Sequence, residues 1–347
     1  MPGRLKASLL GGLAAILIGL LLVGCGSGDD SGTDPADGLD QAQSPQSLAD
    51  APAATGDPVL PDLSGAAGER LRREVARADR QKMDPEVFAK VGDSNTEWPQ
   101  NIYGLGCREV GYGSNQDLKA VVERYSKVRF PSLTGLDGCS PINSLTRRSA
   151  AAVSGVWTKW LMTPTEDLYK TEIGPPTDEC EPDQTPLDCE IALIKPRWAL
   201  IMSGTNDALL GRPLGDTYRG LLEQMVDRVR KLGPVPVLST LPPMAVPAHD
   251  GQPGEQRVDE ANRIISQVAA QRQVPLINLH RALASEGMVD QGLASDGLHL
   301  GVYGGEDQTD IMRGSAMLTV PALHYGANRR NLIWLQVLER LDGAAAQ

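Results

Sequence analysis

The chain has 347 residues, of which 41% are hydrophobic, and a formal net charge of −11 at pH 7. A chain of this length can bury one large core or two modest ones. No stripe of Lys and Arg is interleaved with aromatic residues, so the composition excludes a typical nucleic-acid-binding protein. The acidic balance favours solubility and does not specify a fold.

The first 24 residues have the pattern of a targeting segment. Arg4 and Lys6 precede an almost unbroken apolar run over residues 7–23, and Gly24 then separates this run from Cys25. This pattern resembles a bacterial lipoprotein signal, which implies cleavage before the cysteine and acylation of Cys25. The alternative is an uncleaved transmembrane anchor, because the run is nearly long enough to span a bilayer. Both interpretations predict a protein exported to the cell envelope, on the periplasmic or extracellular face, and the first predicts a lipid anchor.

Residues 25–65 are predicted to be a disordered tether. They are rich in Gly, Ser, Asp, Ala, Pro and Gln and show no periodic apolar face. Such a stretch cannot bury enough surface to offset the entropy lost on ordering. Residues 66–347 contain no internal repeat and no break in composition, which predicts a single α/β domain.

Four further cysteines, an even count in an exported chain, predict two disulfides with three possible pairings. Cys180 and Cys189 flank residues 181–188, which read as a loop without a core of its own. We therefore expect these two to pair, which leaves Cys107 with Cys139. A metal site is the alternative, but no Cys-x-x-Cys or His-x-x-x-His spacing supports it.

Apolar periodicity predicts alternating helices and strands along this domain. Helices are predicted at 66–83, 117–128, 218–232, 258–271 and 328–341, with a helix-like pattern at 147–162 and a loop at 131–144. Buried strands are predicted at 87–91, 198–202, 235–240 and 274–279. This alternation implies right-handed βαβ units and a doubly wound parallel sheet with helices on both faces, a flavodoxin-like three-layer α/β fold.

The first predicted strand ends abruptly in Gly92-Asp93-Ser94. In open α/β sheets the ligand crevice lies outside the carboxyl ends of the strands, so Ser94 is placed where its hydroxyl can face a substrate. Gly92 is expected to allow a tight turn that a side chain would obstruct. An ordinary turn at the end of a strand has the same composition, and the interpretation depends on two blocks downstream, at 204–207 and 296–299.

These downstream blocks contain the groups that a serine nucleophile requires. A serine hydroxyl reacts only when a base takes its proton, and the imidazole of His299 suits that task near neutral pH. Asp296 lies three residues before His299, a spacing that places its carboxylate beside the ring in a turn. The Asn206 amide and the backbone N–H of Ser94 are natural donors to the oxyanion of the reaction.

In this order the three blocks resemble the SGNH subgroup of GDSL-type serine esterases and lipases, over roughly residues 87–300. The resemblance implies the SGNH-hydrolase-like α/β fold, Ser94 as the nucleophile, and Asp296 and His299 as the acid and base of a triad. It also implies an oxyanion hole formed by Asn206 and the Ser94 N–H.

The second block of the family supplies a glycine N–H to the oxyanion hole. The best match in this chain is Gly155, and Gly138 is the competitor. Residues 95–98 depart from the family, in which small aliphatic residues usually follow the serine. Trp98 and Trp157 are interpreted either as walls of a substrate cleft or as core residues.

The remaining polar residues near these motifs are interpreted as structural. Asp207 could be a rival acid for the triad, but we expect its carboxylate to brace the loop that holds Asn206, because buried polar groups need partners. Three further histidines have no acidic partner at a useful spacing and are interpreted as surface or structural residues: His249, His280 and His324.

The resemblance implies an exported, lipid-anchored serine hydrolase that cleaves carboxylic esters through an acyl-enzyme. Such chemistry needs no metal or organic cofactor. The expected partners are the membrane, through Cys25, and an ester substrate, either a small acyl ester, an acetylated glycan or a lipid. Two alternatives remain open: an acyltransferase that acts on glycan hydroxyls, and a non-catalytic cell-surface binding module on the same fold.

Overall fold

The computed structural model describes residues 57–347, apart from residues 176 and 178. The predicted signal segment, the acylation site at Cys25 and most of the predicted tether lie outside the described residues. Within the described range, none of the helices combines the length and the apolar composition that a bilayer span requires. The predicted domain boundaries therefore stay a prediction.

In the described part of the chain, one parallel sheet contains four strands in the order in which they occur. They are β1 (Asp84–Gly92), β2 (Pro196–Met202), β3 (Val235–Ser239) and β4 (Leu276–Ile277). The register pairs Gly92 with Met202, Ile201 with Leu238, and Ser239 with Ile277. The carboxyl ends of the strands therefore meet at one edge of the sheet.

Twelve α-helices surround this sheet in the described residues: α1 (Gly65–Arg80), α2 (Ser94–Glu97), α3 (Tyr103–Cys107), α4 (Lys119–Tyr125), α5 (Thr165–Leu168), α6 (Pro186–Ile194), α7 (Thr205–Leu209), α8 (Gly215–Leu232), α9 (Gly254–Arg272), α10 (Leu279–Leu283), α11 (Ile311–Ser315) and α12 (Gly326–Ala345). One group, α1, α4 and α12, packs together, and α1 and α4 contact the sheet; a second group, α6, α8 and α9, also packs against the sheet. One apolar core extends through the strands and both groups. The predicted α/β fold, with a parallel sheet and helices on it, is confirmed.

Two different segments flank the carboxyl end of β1, one on each side. Gly92 pairs with Met202 of β2, and on its other side it forms a parallel bridge with Ala152. The backbone N–H of Gly92 donates to the carbonyl of Ala151 at 2.8 Å. The chain thus passes from one side of β1 to the other, and a crevice opens at such a switch point in α/β sheets.

The helix-like pattern predicted at 147–162 is wrong, because only Trp160–Met162 form a 3-10 helix there. Polar groups at the start of this segment bond to β1. Ser149 Oγ donates to the carbonyl of Lys90 at 2.6 Å, and the buried Lys90 Nζ donates to the carbonyl of Arg147 at 2.7 Å. Burial lowers the pKa of Lys90 well below its usual value. Tertiary contacts with the strand therefore override the helical periodicity.

Two other predicted elements are shorter than expected. Of the helix predicted at 117–128, the α-helical part is α4, preceded by a 3-10 turn at Gln116–Leu118. Of the strand predicted at 274–279, β4 keeps two residues. It ends because the side chain of Asn278 accepts from Arg281 N–H and caps α10.

Both predicted disulfides are present, Cys107–Cys139 and Cys180–Cys189. The loop predicted at 181–188 needs a correction, because α6 begins within it. Thr185 caps this helix, accepting from the N–H of Asp188, whose carboxylate accepts from Thr185 N–H in return. The second disulfide therefore joins a half-buried bend to a buried residue of a helix.

Candidate active site

Ser94 is the first residue of α2, directly after β1. Asp93 caps this short helix, because its Oδ1 accepts from the N–H of Asn95 at 3.0 Å. A Cβ on Gly92 would lie 2.3 Å from the carbonyl oxygen of Met202 and 2.4 Å from Thr96 Oγ1. The backbone of Gly92 does not have a positive φ. A side chain at this position would therefore be obstructed, as the sequence predicted, and the obstruction comes from the close packing of Met202 and Thr96.

Asp296 and His299 form a compact turn opposite Ser94. One oxygen of Asp296 accepts from the backbone N–H groups of Leu298 and His299, each at 2.9 Å, and the other lies 2.5 Å from His299 Nδ1. His299 Nε2 lies 2.8 Å from Ser94 Oγ, across 205 residues of sequence. With its Nδ1 proton directed to Asp296, the ring can accept the serine proton at Nε2. The structure thus brings these three predicted residues together.

The carboxylate of Asp296 is kept ionised by its partners. Burial acts to raise its pKa, but the hydrogen bonds from the backbone and ring of His299 outweigh it and lower the pKa below the usual value. The side chain of Asp296 is 43% exposed, whereas that of His299 is 12% exposed. The negative charge therefore stays in contact with water while the imidazole beside it is mostly covered.

Asn206 reaches the same edge from α7, which follows β2. Gly204, just before it, has a φ of +132°, and a Cβ there would lie 2.2 Å from Tyr218 Oη. The Asn206 Nδ2 group donates to the carbonyl of Val156 at 2.8 Å. A side-chain amide carries two hydrogens on its nitrogen, so one donor remains for a ligand.

Asp207 braces the loop beside Asn206, as the sequence predicted. Its carboxylate accepts from both the backbone N–H and the hydroxyl of Thr158, each at 2.9 Å. Burial raises the pKa of Asp207 above its usual value.

Gly155 lies in a loop that contacts both sides of this site. Its preceding residue, Ser154, bonds to Trp98, and its following residue, Val156, accepts the hydrogen bond from Asn206. Gly155 has a φ of +81°, which favours glycine. Its competitor Gly138 lies elsewhere, with its carbonyl bonded to the side chain of Arg108 beside the Cys107–Cys139 disulfide. The role of Gly155 as a donor stays a prediction.

Trp98 has a contact that the sequence did not reveal. Its ring stacks on the ring of His299, with centroids 3.6 Å apart and an angle of 14° between the planes. Its Nε1–H donates to Ser154 Oγ at 3.1 Å. One signal of this contact was present in the sequence, namely a tryptophan where the family usually has small aliphatic residues after the serine. Four residues make about one helical turn, so Trp98 could be expected to lie near Ser94.

The other histidines lie outside this group. His280 is buried and bonds at 2.7 Å to Glu255, an acidic partner 25 residues away that local spacing could not show. His324 Nδ1 bonds to the carbonyl of Gly287. In the described residues, the group with the geometry to hold a metal ion is Glu255, Asp259 and His280, whose ligand atoms lie within 4.8 Å of one another.

A comparison with known families gives a match over residues 177–306 to the GDSL-like lipase/acylhydrolase family. The predicted resemblance to the GDSL-type lipases is confirmed. The same match confirms, at the level of the family, the prediction of an ester-hydrolysing enzyme. The matched residues include Asn206, Asp296 and His299, and they begin after Ser94 and Gly155. No curated protein matches this chain.

Several solved structures are also similar to this chain. A GDSL-like lipase from Bacteroides thetaiotaomicron is 12% identical, over 78% of this chain and 98% of that one, with a TM-score of 0.42. A lipase/acylhydrolase from Enterococcus faecalis is 21% identical, over 74% and 95%, with a TM-score of 0.39. An acetyl xylan esterase from Geobacillus stearothermophilus is 16% identical, over 74% and 94%, with a TM-score of 0.38.

Proposed function

We propose that the protein is an exported, lipid-anchored serine hydrolase that cleaves carboxylic esters with Ser94, His299 and Asp296. The observation that carries this proposal is the continuous hydrogen-bonded series from Ser94 Oγ through the ring of His299 to Asp296, at 2.8 and 2.5 Å. This arrangement gives a serine both a base and a group that orients the base.

In the first half of the reaction, Ser94 Oγ attacks the carbonyl carbon of the ester while His299 Nε2 takes the hydroxyl proton. Asp296 stabilises the imidazolium that forms. The backbone N–H of Ser94 is at a helix start and has no intrahelical acceptor, so it can donate to the new oxyanion. Asn206 and Gly155 supply the other two donors. The oxyanion then collapses, the C–O bond to the alcohol breaks, and His299 returns the proton to the departing alcohol.

In the second half, water attacks the acyl-serine and gives its proton to His299. The same donors hold the second oxyanion, and its collapse releases the carboxylic acid and returns the proton to Ser94 Oγ. The substrate is an ester of a small acyl group, of an acetylated glycan or of a lipid. A glycan hydroxyl in place of water would turn the same machinery into an acyltransferase.

The location of the enzyme is part of the proposal. Its support is the targeting pattern before Cys25, the proposed site of acylation, together with two disulfides, which persist in oxidising compartments outside the cytoplasm. Radiolabelled palmitate supplied to expressing cells tests it. Incorporation into the wild type and not into Cys25→Ala is the expected result. Equal incorporation into both would contradict acylation at this residue.

A non-catalytic binding module would not need a serine in contact with the histidine. The 2.8 Å contact between Ser94 and His299 therefore favours the enzyme over that alternative.

Hydrolysis of a series of p-nitrophenyl esters, from acetate to decanoate, by the full-length chain in detergent tests the activity. We expect turnover by the wild type, and a loss of about 10³-fold or more in Ser94→Ala and in His299→Ala. The control is His249→Ala, an exposed histidine that we expect to have no effect. A folded wild type without turnover, or a Ser94→Ala variant as active as the wild type, would overturn the proposal.

A further inference from the structure

The Trp98 side chain covers one face of the His299 ring. The stacked geometry, 3.6 Å between centroids, restrains the ring perpendicular to its plane. The hydrogen bond from Nδ1 to Asp296 restrains the same ring at its edge. Because Trp98 N–H donates to the carbonyl of Ser94 at 3.0 Å, the segment that carries the serine also carries this surface. The nucleophile and the support for its base are thus on one helical turn.

Trp98 is itself fixed by a latch formed by Glu97, Trp98 and Ser154. Trp98 Nε1–H donates to Ser154 Oγ at 3.1 Å. Glu97 accepts from the backbone N–H of Ser154 at 2.8 Å and from its hydroxyl at 2.5 Å. Arg148 lies 3.3 Å from the other oxygen of Glu97. The latch therefore joins the end of α2 to the loop that continues into Gly155.

We propose that Trp98 is a positioning residue for His299, and that the latch holds the base and the Gly155 loop in one arrangement. This inference rests on the proposed function. Ser94 Oγ and His299 Nε2 must stay aligned for proton transfer, and a misplacement of about 1 Å can cost a factor of about 10² in rate. The bond to Asp296 fixes the Nδ1 edge of the His299 ring, and Trp98 prevents the ring from tilting about that bond.

The contact also gains strength during the reaction. When His299 takes the serine proton, the ring becomes a cation, and the face of an indole attracts cations. An interaction that is stronger in the transition state than in the bound substrate raises kcat and leaves KM unchanged. A side chain that only forms a wall of the substrate cleft would mainly alter KM instead.

The test compares kcat and KM of full-length Trp98 variants with one p-nitrophenyl ester. We expect Trp98→Phe, which keeps an aromatic face, to stay within about threefold of the wild-type kcat, and Trp98→Ala to lose about 10- to 100-fold in kcat. KM should change by less than about twofold in both. Trp98→Leu keeps apolar volume without an aromatic face, and we expect it to resemble Trp98→Ala. Trp334→Phe is the matched control, since Trp334 lies in α12 and stacks on Arg330 and not on His299.

Tryptophan fluorescence provides a readout that does not depend on turnover. A protonated imidazole quenches an indole stacked on it, so the difference in fluorescence between the wild type and Trp98→Phe should fall on acidification. The same comparison in a His299→Gln background should show no such fall.

The two proposals fail in different ways. If the wild type hydrolyses the ester while Trp98→Ala and Trp98→Leu match its kcat, or change only KM, the positioning role is overturned and the proposed function stands. If the pH-dependent quench is absent while the wild type is active, the stacked contact is overturned. If the folded wild type does not turn over or react with a fluorophosphonate, the proposed function fails, and the positioning role fails with it.

Discussion

The amide of Asn206 is bonded to the carbonyl of Val156 at 2.8 Å, so α7 is tied directly to the loop that contains Gly155. This bond uses one hydrogen of the amide and fixes the direction of the other. An oxyanion donor works best when it is oriented before the reaction, because no reorganisation is then needed in the transition state. The role of Asn206 can therefore be separated from that of the triad.

We expect Asn206→Ala to lower kcat by about 10²- to 10³-fold with little change in KM, because the lost interaction is made with the oxyanion and not with the ground-state ester. Asn206→Asp keeps the shape but places a negative charge beside the oxyanion, and we expect a loss at least as large. Steady-state kinetics with a p-nitrophenyl ester measure both. A kcat within twofold of the wild type in Asn206→Ala would contradict the assignment.

Asp93 lies next to the nucleophile, and its burial raises the pKa of the carboxyl to about 6. The folded state then binds a proton more tightly than the unfolded chain, for which 3.8 is the usual value. Stability must fall as pH rises between these two values. The shift corresponds to about 3 kcal/mol of lost stability at pH 8.

Asp93→Asn should remove this loss, since asparagine caps helices as well as aspartate and carries no charge. We expect the free energy of unfolding to rise by up to about 3 kcal/mol at pH 8 and to be nearly unchanged at pH 4. Urea denaturation at the two pH values measures this, with the exposed Asp137→Asn as the control. An equal effect at both pH values would show that burial of the charge is not the cause.

The two disulfides should contribute unequally to stability. Cys107 and Cys139 are 32 residues apart, and Cys180 and Cys189 are 9 apart. Each disulfide restricts the unfolded chain by closing a loop. Replacing both cysteines by serine should therefore lower the free energy of unfolding by about 4 kcal/mol for Cys107–Cys139 and by about 3 kcal/mol for Cys180–Cys189. Guanidinium denaturation of the two variants gives the comparison. A larger loss for the shorter loop would mean that native contacts around α6 outweigh loop entropy.

Arg147 and Glu190 form a buried ion pair, and Glu190 also accepts from the backbone N–H of Ala150 at 3.0 Å. We expect Glu190→Leu to cost about 3 to 5 kcal/mol, because it leaves the buried guanidinium without an acidic partner. Adding Arg147→Met should recover part of that loss. A double variant less stable than Glu190→Leu alone would contradict this account. Thermal unfolding of the wild type, Glu190→Leu, Arg147→Met and the double variant measures these differences in stability.

Much of the site could be predicted from the sequence because the fold itself gathers it. In a parallel sheet, short polar motifs at successive strand ends meet at one edge, so Ser94 and Asn206 could be expected to lie close together. Asp296 and His299 could be predicted to lie side by side because they are three residues apart, which requires only a local turn.

The parts that could not be predicted depend on contacts between distant segments. The segment over 147–162 has helical periodicity, yet Ser149 and Arg147 bond to β1. Trp98 packs on a ring that is remote in sequence, and Gly92 is required by the approach of Met202. Local patterns carry no information on such contacts.

Reaction with a fluorophosphonate, with the modified peptide mapped by mass spectrometry, tests the central claim most directly. The account predicts that the full-length wild type, with both disulfides intact, gains the adduct on Ser94. Labelling should be absent in Ser94→Ala and slowed by about 10²-fold or more in His299→Ala. A folded wild type that does not react, or an adduct that persists in Ser94→Ala, would contradict the account.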